Sequence, residues 1–385
     1  MRNWILPENT ADLLPPQARR VELLRRSMLD RCAAFGYELV LPPLLEYVES
    51  LVGEDDSALD MKTYKLMDQL SGRQLGLRAD ITPQVARIDA HLLNRQGVAR
   101  LCYAAPTVQT LPDGIFSARE PLQLGAEIYG HAGVEADAEV LELAVDCLSL
   151  AEINVLHIDI GHVGFFAELA QSAGLSAAAR AEVFNAIQQK DTATLKSLTA
   201  AVPAELAAAL QALPALYGDA SILDKAAAVL PATTVCSAAL CELRELAAQL
   251  QARGITVSFD LSELRSGFYH TGLVFTIYAE GWPNAIARGG RYDHAGARFG
   301  RSRPATGFSI DIKEIADRLP PALARPAILA PSGSDPELLA AIRTLRQSGE
   351  TVVVRLGDIV DVEELHADRI LVRMNDQWGV QPLVV

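Results

Sequence analysis

The chain has 385 residues, half of them hydrophobic and 21% charged, the profile of a folded protein with room for two or three cores. Lys and Arg number 34 against 48 Asp and Glu, so the net charge is 34 − 48 = −14 and the basic footprint of a general nucleic-acid binder is missing. The five cysteines, Cys32, Cys102, Cys147, Cys236 and Cys241, form no Cys-x-x-Cys pair. That spacing argues against a zinc knuckle or thioredoxin-like site and for a reduced, cytoplasmic setting; no metal and no cofactor are expected. The first residues have no apolar leader, and no apolar run reaches the roughly 18 residues of a membrane span.

Pro15 and Pro16 open a predicted helix over 16–35, with Leu23, Leu24, Met28 and Ala34 at helical spacing and Gly36 as its stop. Tyr37–Leu41 reads as a strand closed by Pro42-Pro43. Strands over 64–68 and 74–78 flank Ser71-Gly72, which predicts a hairpin. A helix over 83–95 follows, with Thr82 as N-cap and Pro83 at its first position. Strands are predicted over 100–104 and 123–129, then a helix over 137–151 and a strand over 155–160.

From about 165 to 250 Ala and Leu dominate, which reads as a helical insertion into a mixed fold. Strands return over 256–260 and 273–278, followed by the glycine turn Gly289-Gly290 and a helix over 310–319. Pro320, Pro321 and Pro326 mark a linker. Residues 327–385 read strand, helix (335–348), strand (351–355) and two further short strands.

Four segments carry the chemistry. They are the helix-strand ending at Pro42-Pro43; Leu77-Arg78-Ala79-Asp80-Ile81-Thr82-Pro83; Arg100 to Gly130; and Leu264 to His270 with Ala287 to Asp293. Together, in this order, they resemble the catalytic domain of histidyl-tRNA synthetase, a class II synthetase, over roughly residues 1–320. The resemblance implies an α+β fold built on a mixed, mostly antiparallel sheet flanked by helices. The domains expected are 1–320, with the insertion at about 165–250, and a reduced α/β anticodon-binding-like domain at 326–385. It also implies a homodimer through residues 16–50.

The departures from that family are chemical. Gln109 stands where the synthetases carry an arginine on the ATP α-phosphate, and Glu314 stands where another stacks on adenine. A neutral amide offers no cationic fork, and a carboxylate repels phosphates. Amino-acid activation, which depends on stabilising the transferring phosphate, is therefore not expected. Residues 326–385 hold 5 Arg, no Lys and 9 Asp or Glu, a poor reader of an RNA backbone.

The groups that the resemblance assigns to a bound histidine remain. Asp80 and Thr82 match the α-amino site, Gln123 lies beside it, and Glu127 matches the carboxylate facing the imidazole. Arg265 matches an arginine near the ligand carboxylate, and Tyr269, His270 and Tyr292 match positions around the ring. A synthetase fold that keeps this pocket and loses the ATP clamp resembles the regulatory subunits of ATP phosphoribosyltransferase. That resemblance implies a non-catalytic chain that pairs with a short catalytic subunit and responds to histidine, with no nucleic acid and no membrane as partner. The residues alone leave open a synthetase with unusual ATP contacts, an assembly subunit without a ligand, and a Glu127 that is merely a strand carboxylate facing solvent.

Overall fold

The computed structural model describes residues 5–53, 57–112, 114, 117–153, 155–264, 269–320, 322–357 and 362–383. They separate into two compact units, Met1–Leu13 with Arg20–Pro320, and Leu14–Arg19 with Pro321–Val385.

In chain order the strands of the first unit are β1 (Glu38–Leu39), β2 (Leu45–Tyr47), β3 (Tyr64–Met67), β4 (Gln74–Leu77), β5 (Ala99–Pro106), β6 (Leu122–Tyr129), β7 (Val155–His162), β8 (Tyr217–Gly218), β9 (Ser258–Asp260), β10 (Leu273–Ala279), β11 (Ala287–Arg291) and β12 (Ala305–Asp311). Nine form one sheet in the order β1-β5-β6-β12-β11-β10-β7-β9-β8. Only the β1–β5 and β7–β9 pairs are parallel, as expected of a mostly antiparallel class II sheet. β2, β4 and β3 form a small separate sheet that contains the predicted hairpin.

Period-two alternation on β6 sorts its side chains between two cores. Leu124, Ala126 and Ile128 enter the main core with the helix Val134–Ser149 and the helices that follow. Tyr129 enters a smaller core with Ile81, Val85, Leu101, Tyr103, Tyr292 and Ala305, on the face shared by Gln123, Gly125 and Glu127.

Several predicted elements differ in detail. The helix Pro15–Ala34 buries Val21, Leu24, Met28 and Cys32 and leaves Leu23 exposed; Gly36 ends it at φ +83°. The predicted strand 37–41 is only two residues long, because Pro42 and Pro43 donate nothing to a ladder. Thr82 is not an N-cap: it is the first residue of the helix Thr82–Arg87, and the Asp80 carboxylate accepts its backbone N–H at 3.1 Å. That helix continues as a π-helical turn over Ile88–Leu93. The helix expected over 137–151 runs from Val134 to Ser149.

The predicted insertion contains six helices: Gly164–Ser172, Ala177–Gln188, Thr192–Leu198, Ala204–Ala212, Ile222–Val229 and Thr234–Ala252. Ser176, Asp191 and Thr233 cap three of them by accepting backbone N–H bonds.

One buried ion pair ties the main helix to the sheet. Arg291, at the end of β11, reaches Asp137 at 2.6 Å with both side chains almost wholly buried, and also donates to the carbonyls of His131 and Gly133. Asp137→Ala would leave the buried guanidinium with only the more distant and partly exposed Asp293 carboxylate, at 3.6 Å, as counter-charge. The expected loss is about 3–5 kcal/mol in urea unfolding; a loss below about 1 kcal/mol would show that water reaches Arg291.

The second unit is a four-stranded sheet, order β14-β13-β15-β16, from β13 (Ala327–Ala330), β14 (Thr351–Val354), β15 (Ala367–Met374) and β16 (Gln377–Pro382). The helix Pro336–Gln347, capped by Asp335, packs Leu338 and Ile342 against Ile328, Val352 and Leu371.

Candidate ligand pocket

Three neighbouring strands build the floor. In register, Glu127 of β6 faces Gly307 of β12, and Gly307 faces Gly290 of β11. A Cβ on Gly307 would lie 2.3 Å from the Tyr292 hydroxyl and 2.8 Å from Glu127 Cγ. One on Gly290 (φ +155°) would lie 2.8 Å from a His270 ring carbon and 2.4 Å from the Leu273 carbonyl. Only glycine leaves space at both positions. Gly125 does the same for the Tyr103 ring, which would meet a Cβ at 2.3 Å.

Glu127 is buried beside this floor. One carboxylate oxygen accepts from the Tyr129 hydroxyl; the other, Oε1, is buried with no hydrogen-bond partner in place. Burial pushes its pKa up to about 7, against hydroxyls of Tyr129, Thr82 and Tyr292 that favour the ionised form, and the nearby Asp80 adds to the rise. The solvent-facing alternative for Glu127 is thereby excluded. The carboxyl is held close to its ionisation point, available to a ligand cation or N–H group.

Aromatic rings cover the floor. Tyr269 stacks on Tyr292 at 5.2 Å between centroids, and His270 meets the two rings edge-on at 5.4 and 6.1 Å. His270 Nδ1 is buried and, among the described residues, has no hydrogen-bond partner; burial lowers the ring pKa to about 4, so it is neutral.

The other wall is the Asp80–Thr82 turn. Gln123 locks it to β6: its amide nitrogen donates to Asp80 at 3.0 Å and its oxygen accepts from the Ile81 N–H at 3.1 Å. Gln123 therefore positions Asp80. The Thr82 hydroxyl lies 3.3 Å from that of Tyr103. Tyr103 and Tyr129 belong to the same wall and are not singled out by sequence reading. Their signal is positional: Tyr129 lies two residues beyond Glu127 on one strand face, and Tyr103 opposes Gly125. Arg265 lies outside the described residues.

Gln109 supports the wall from behind, its amide donating to the Ala79 carbonyl at 3.3 Å, one residue from Asp80. Glu314 lines a cleft of about 180 Å³ with Glu120, Asp311 and Asp317. Of its cations, Lys313 bonds the Glu120 carbonyl and Arg318 lies over Trp282. Burial, reinforced by Glu314, pushes Asp311 up to about 6. A polyphosphate would only add charge to this wall.

Among the described residues no cluster of His, Cys, Asp and Glu could hold a metal ion, and no helix is long and apolar enough to cross a membrane. Arg78, buried beside the pocket, donates to the carbonyls of Pro42, Pro43 and Pro106.

Residues 9–315 match the family profile of histidyl-tRNA synthetase, and residues 325–381 match that of the ATP phosphoribosyltransferase subunit HisZ C-terminal domain. A curated protein named ATP phosphoribosyltransferase regulatory subunit, from Burkholderia multivorans, is 53% identical over 385 residues, covering 99% of this chain and 100% of that one. Its counterpart from Burkholderia ambifaria is 52% identical over 384 residues with the same coverage. A crystal structure from Bacillus halodurans, described as an ATP phosphoribosyltransferase regulatory subunit/histidyl-tRNA synthetase, superposes with a TM-score of 0.83 at 27% identity, over 96% of this chain and 97% of that one. Histidyl-tRNA synthetase from Nostoc, at 19% identity and a TM-score of 0.79 over 99% and 95%, shares the fold. With the class II sheet in place and full-length identity above one half, the chain belongs to the family of ATP phosphoribosyltransferase regulatory subunits, non-catalytic members of the histidyl-tRNA synthetase fold.

Proposed function

We propose that this chain is the regulatory partner of the short catalytic subunit of ATP phosphoribosyltransferase, in the first step of histidine biosynthesis in the cytoplasm. It supports that subunit's activity, and histidine bound against Glu127 inhibits the complex. The observation that carries the ligand assignment is the Glu127 carboxylate, buried with one free oxygen over a glycine floor and beneath aromatic rings. An unpaired buried carboxylate is costly, and a ligand ammonium or ring N–H relieves that cost. Asp80 and Thr82 take the α-amino group, Tyr269, His270 and Tyr292 enclose the ring, and Arg265 takes the carboxylate.

The core is a homodimer. Leu23, Leu39, Leu41, Leu44 and Leu45, exposed in the single chain, fall within the segment 16–50 and support a self-complementary interface there. No nucleic acid and no membrane is a partner. Inhibition requires two states of the complex that bind histidine unequally; a typical coupling of about 1–3 kcal/mol changes affinity roughly 5- to 150-fold.

The test is phosphoribosyl-ATP synthesis by the catalytic subunit, with and without this chain, titrated with histidine. The chain should raise the rate, and histidine should lower it only when the chain is present. A chain that leaves the rate unchanged ends the regulatory reading; activation without histidine inhibition makes it an assembly subunit alone.

A further inference from the structure

The polar face of the sheet continues beyond the ring pocket. Arg288 lies two residues before Gly290 on β11, about 7 Å along the strand and on the same face. In register it is flanked by Thr276 of β10 on one side and Ser309 of β12 on the other. Their strand neighbours Phe275, Ile277, Phe308 and Ile310 point the opposite way, into the main core. Arg288 is exposed, Ser309 is half-buried, and Thr276 is only 4% exposed. Among the described residues, none of these three side chains has a hydrogen-bond or ion-pair partner. Two carboxylates of the same face are engaged elsewhere. Asp159, which faces Thr276 from β7, accepts from the Ser258 hydroxyl at 2.7 Å and lies 2.6 Å from His157 Nε2. Asp311, two residues after Ser309, accepts the backbone N–H groups of Leu122 and Lys313.

We propose that Thr276, Arg288 and Ser309 form an oxyanion subsite, distinct from the groups assigned to histidine, that takes the phosphate or carboxylate group of a small molecule. Residues paired across adjacent strands hold their Cβ atoms about 4.5–5.5 Å apart. An oxyanion seated on the Arg288 guanidinium is therefore within reach of a hydroxyl from either side. The guanidinium offers two parallel N–H groups to two oxygens, and each hydroxyl donates one further hydrogen bond. A hydroxyl buried without a partner, as at Thr276, is unfavourable until a ligand fills its bonding capacity. An unpaired arginine in the middle of a nine-stranded sheet contributes no ion pair to the fold, which leaves its charge for a ligand. The subsite uses neither Glu127 nor the aromatic rings, so it stands whether or not the ring pocket takes histidine.

The experiment is calorimetry of the full-length chain with inorganic phosphate and pyrophosphate as probes, at an ionic strength fixed with potassium chloride so that general screening is constant. Wild type is compared with Arg288→Gln and Thr276→Val, each checked for folding by its thermal midpoint. Arg288→Gln should weaken phosphate binding roughly 10- to 150-fold, and Thr276→Val, which removes the hydroxyl and keeps the shape, roughly 2- to 10-fold. A second arm separates a free phosphate from the carboxylate of a ligand seated in the neighbouring pocket. It titrates the same proteins with histidine and with histidinamide, in which a neutral amide replaces the carboxylate. Weaker phosphate binding by Arg288→Gln places a free phosphate in the subsite. Weaker histidine binding with histidinamide unaffected places the ligand's own carboxylate there. Phosphate binding without histidine binding would sink the histidine reading and leave this one standing. If the wild type binds none of the probes, or Arg288→Gln binds all of them as well as wild type, the proposal is overturned. Equal loss of histidine and histidinamide with no effect on phosphate would also overturn it, since Arg288 would then act through packing alone.

Discussion

Glu127→Gln is expected to weaken histidine binding roughly 10- to 150-fold, the effect of losing a charged hydrogen bond of about 1.5–3 kcal/mol. The same variant should change how stability depends on pH. In the ligand-free chain the carboxyl is held up to about 7 by burial, above its ordinary value of 4.5. A raised value means that the folded state holds the proton more tightly than the unfolded chain. The resulting stabilisation is complete below about 4.5, declines as pH rises, and is gone once pH has passed about 7. Over that window the wild type should lose roughly 3 kcal/mol that Glu127→Gln does not lose. Taking the difference between the two proteins removes the other carboxyls that desolvation shifts upward, Asp89, Asp137, Asp311 and Asp317. Urea unfolding at a series of pH values from 4.5 to 8 checks it. A difference that stays constant across that range would mean that water reaches the carboxyl, and the buried-acid description would fail.

Gly307→Ala is expected to damage both the fold and the pocket. The new methyl would lie 2.3 Å from the Tyr292 hydroxyl, 2.8 Å from the Ala126 carbonyl and 2.8 Å from Glu127 Cγ. Tyr292 could swing away, but Ala126 is backbone in the adjacent strand and cannot. The cost expected is about 1–3 kcal/mol or somewhat more, with histidine binding lost because Tyr292 and Glu127 are the groups displaced. Gly97→Ala is the internal control. A Cβ there meets nothing within 4 Å and its backbone is not in the left-handed region, so its effect should stay within about 0.5 kcal/mol. A Gly307→Ala protein as stable as wild type, with histidine binding intact, would show that the glycine floor does not shape the site.

Both experiments depend on features that differ in how far they could be read from the chain alone. The sequence by itself determined the local pieces: the hairpin at 64–77, the strands around 100 and 125, and the Ala- and Leu-rich helices after 164. These are matters of residue type, turn chemistry and periodicity within about a dozen neighbours. The resemblance to the synthetases added Glu127 as a candidate, with a solvent-facing strand carboxylate left as the alternative. Only the tertiary structure decided between them. The pairing register sets Glu127 beside Gly307 and Gly290, 180 and 163 positions further along, and closes Tyr129, Tyr269 and Tyr292 around it. Likewise Thr82 has the composition of a cap, but its role depends on Asp80, which is held by Gln123 from another strand. Burial, an unpartnered oxygen and a shifted pKa are properties of what surrounds a side chain in space. They arise when strands far apart in the chain are brought within about 5 Å of one another.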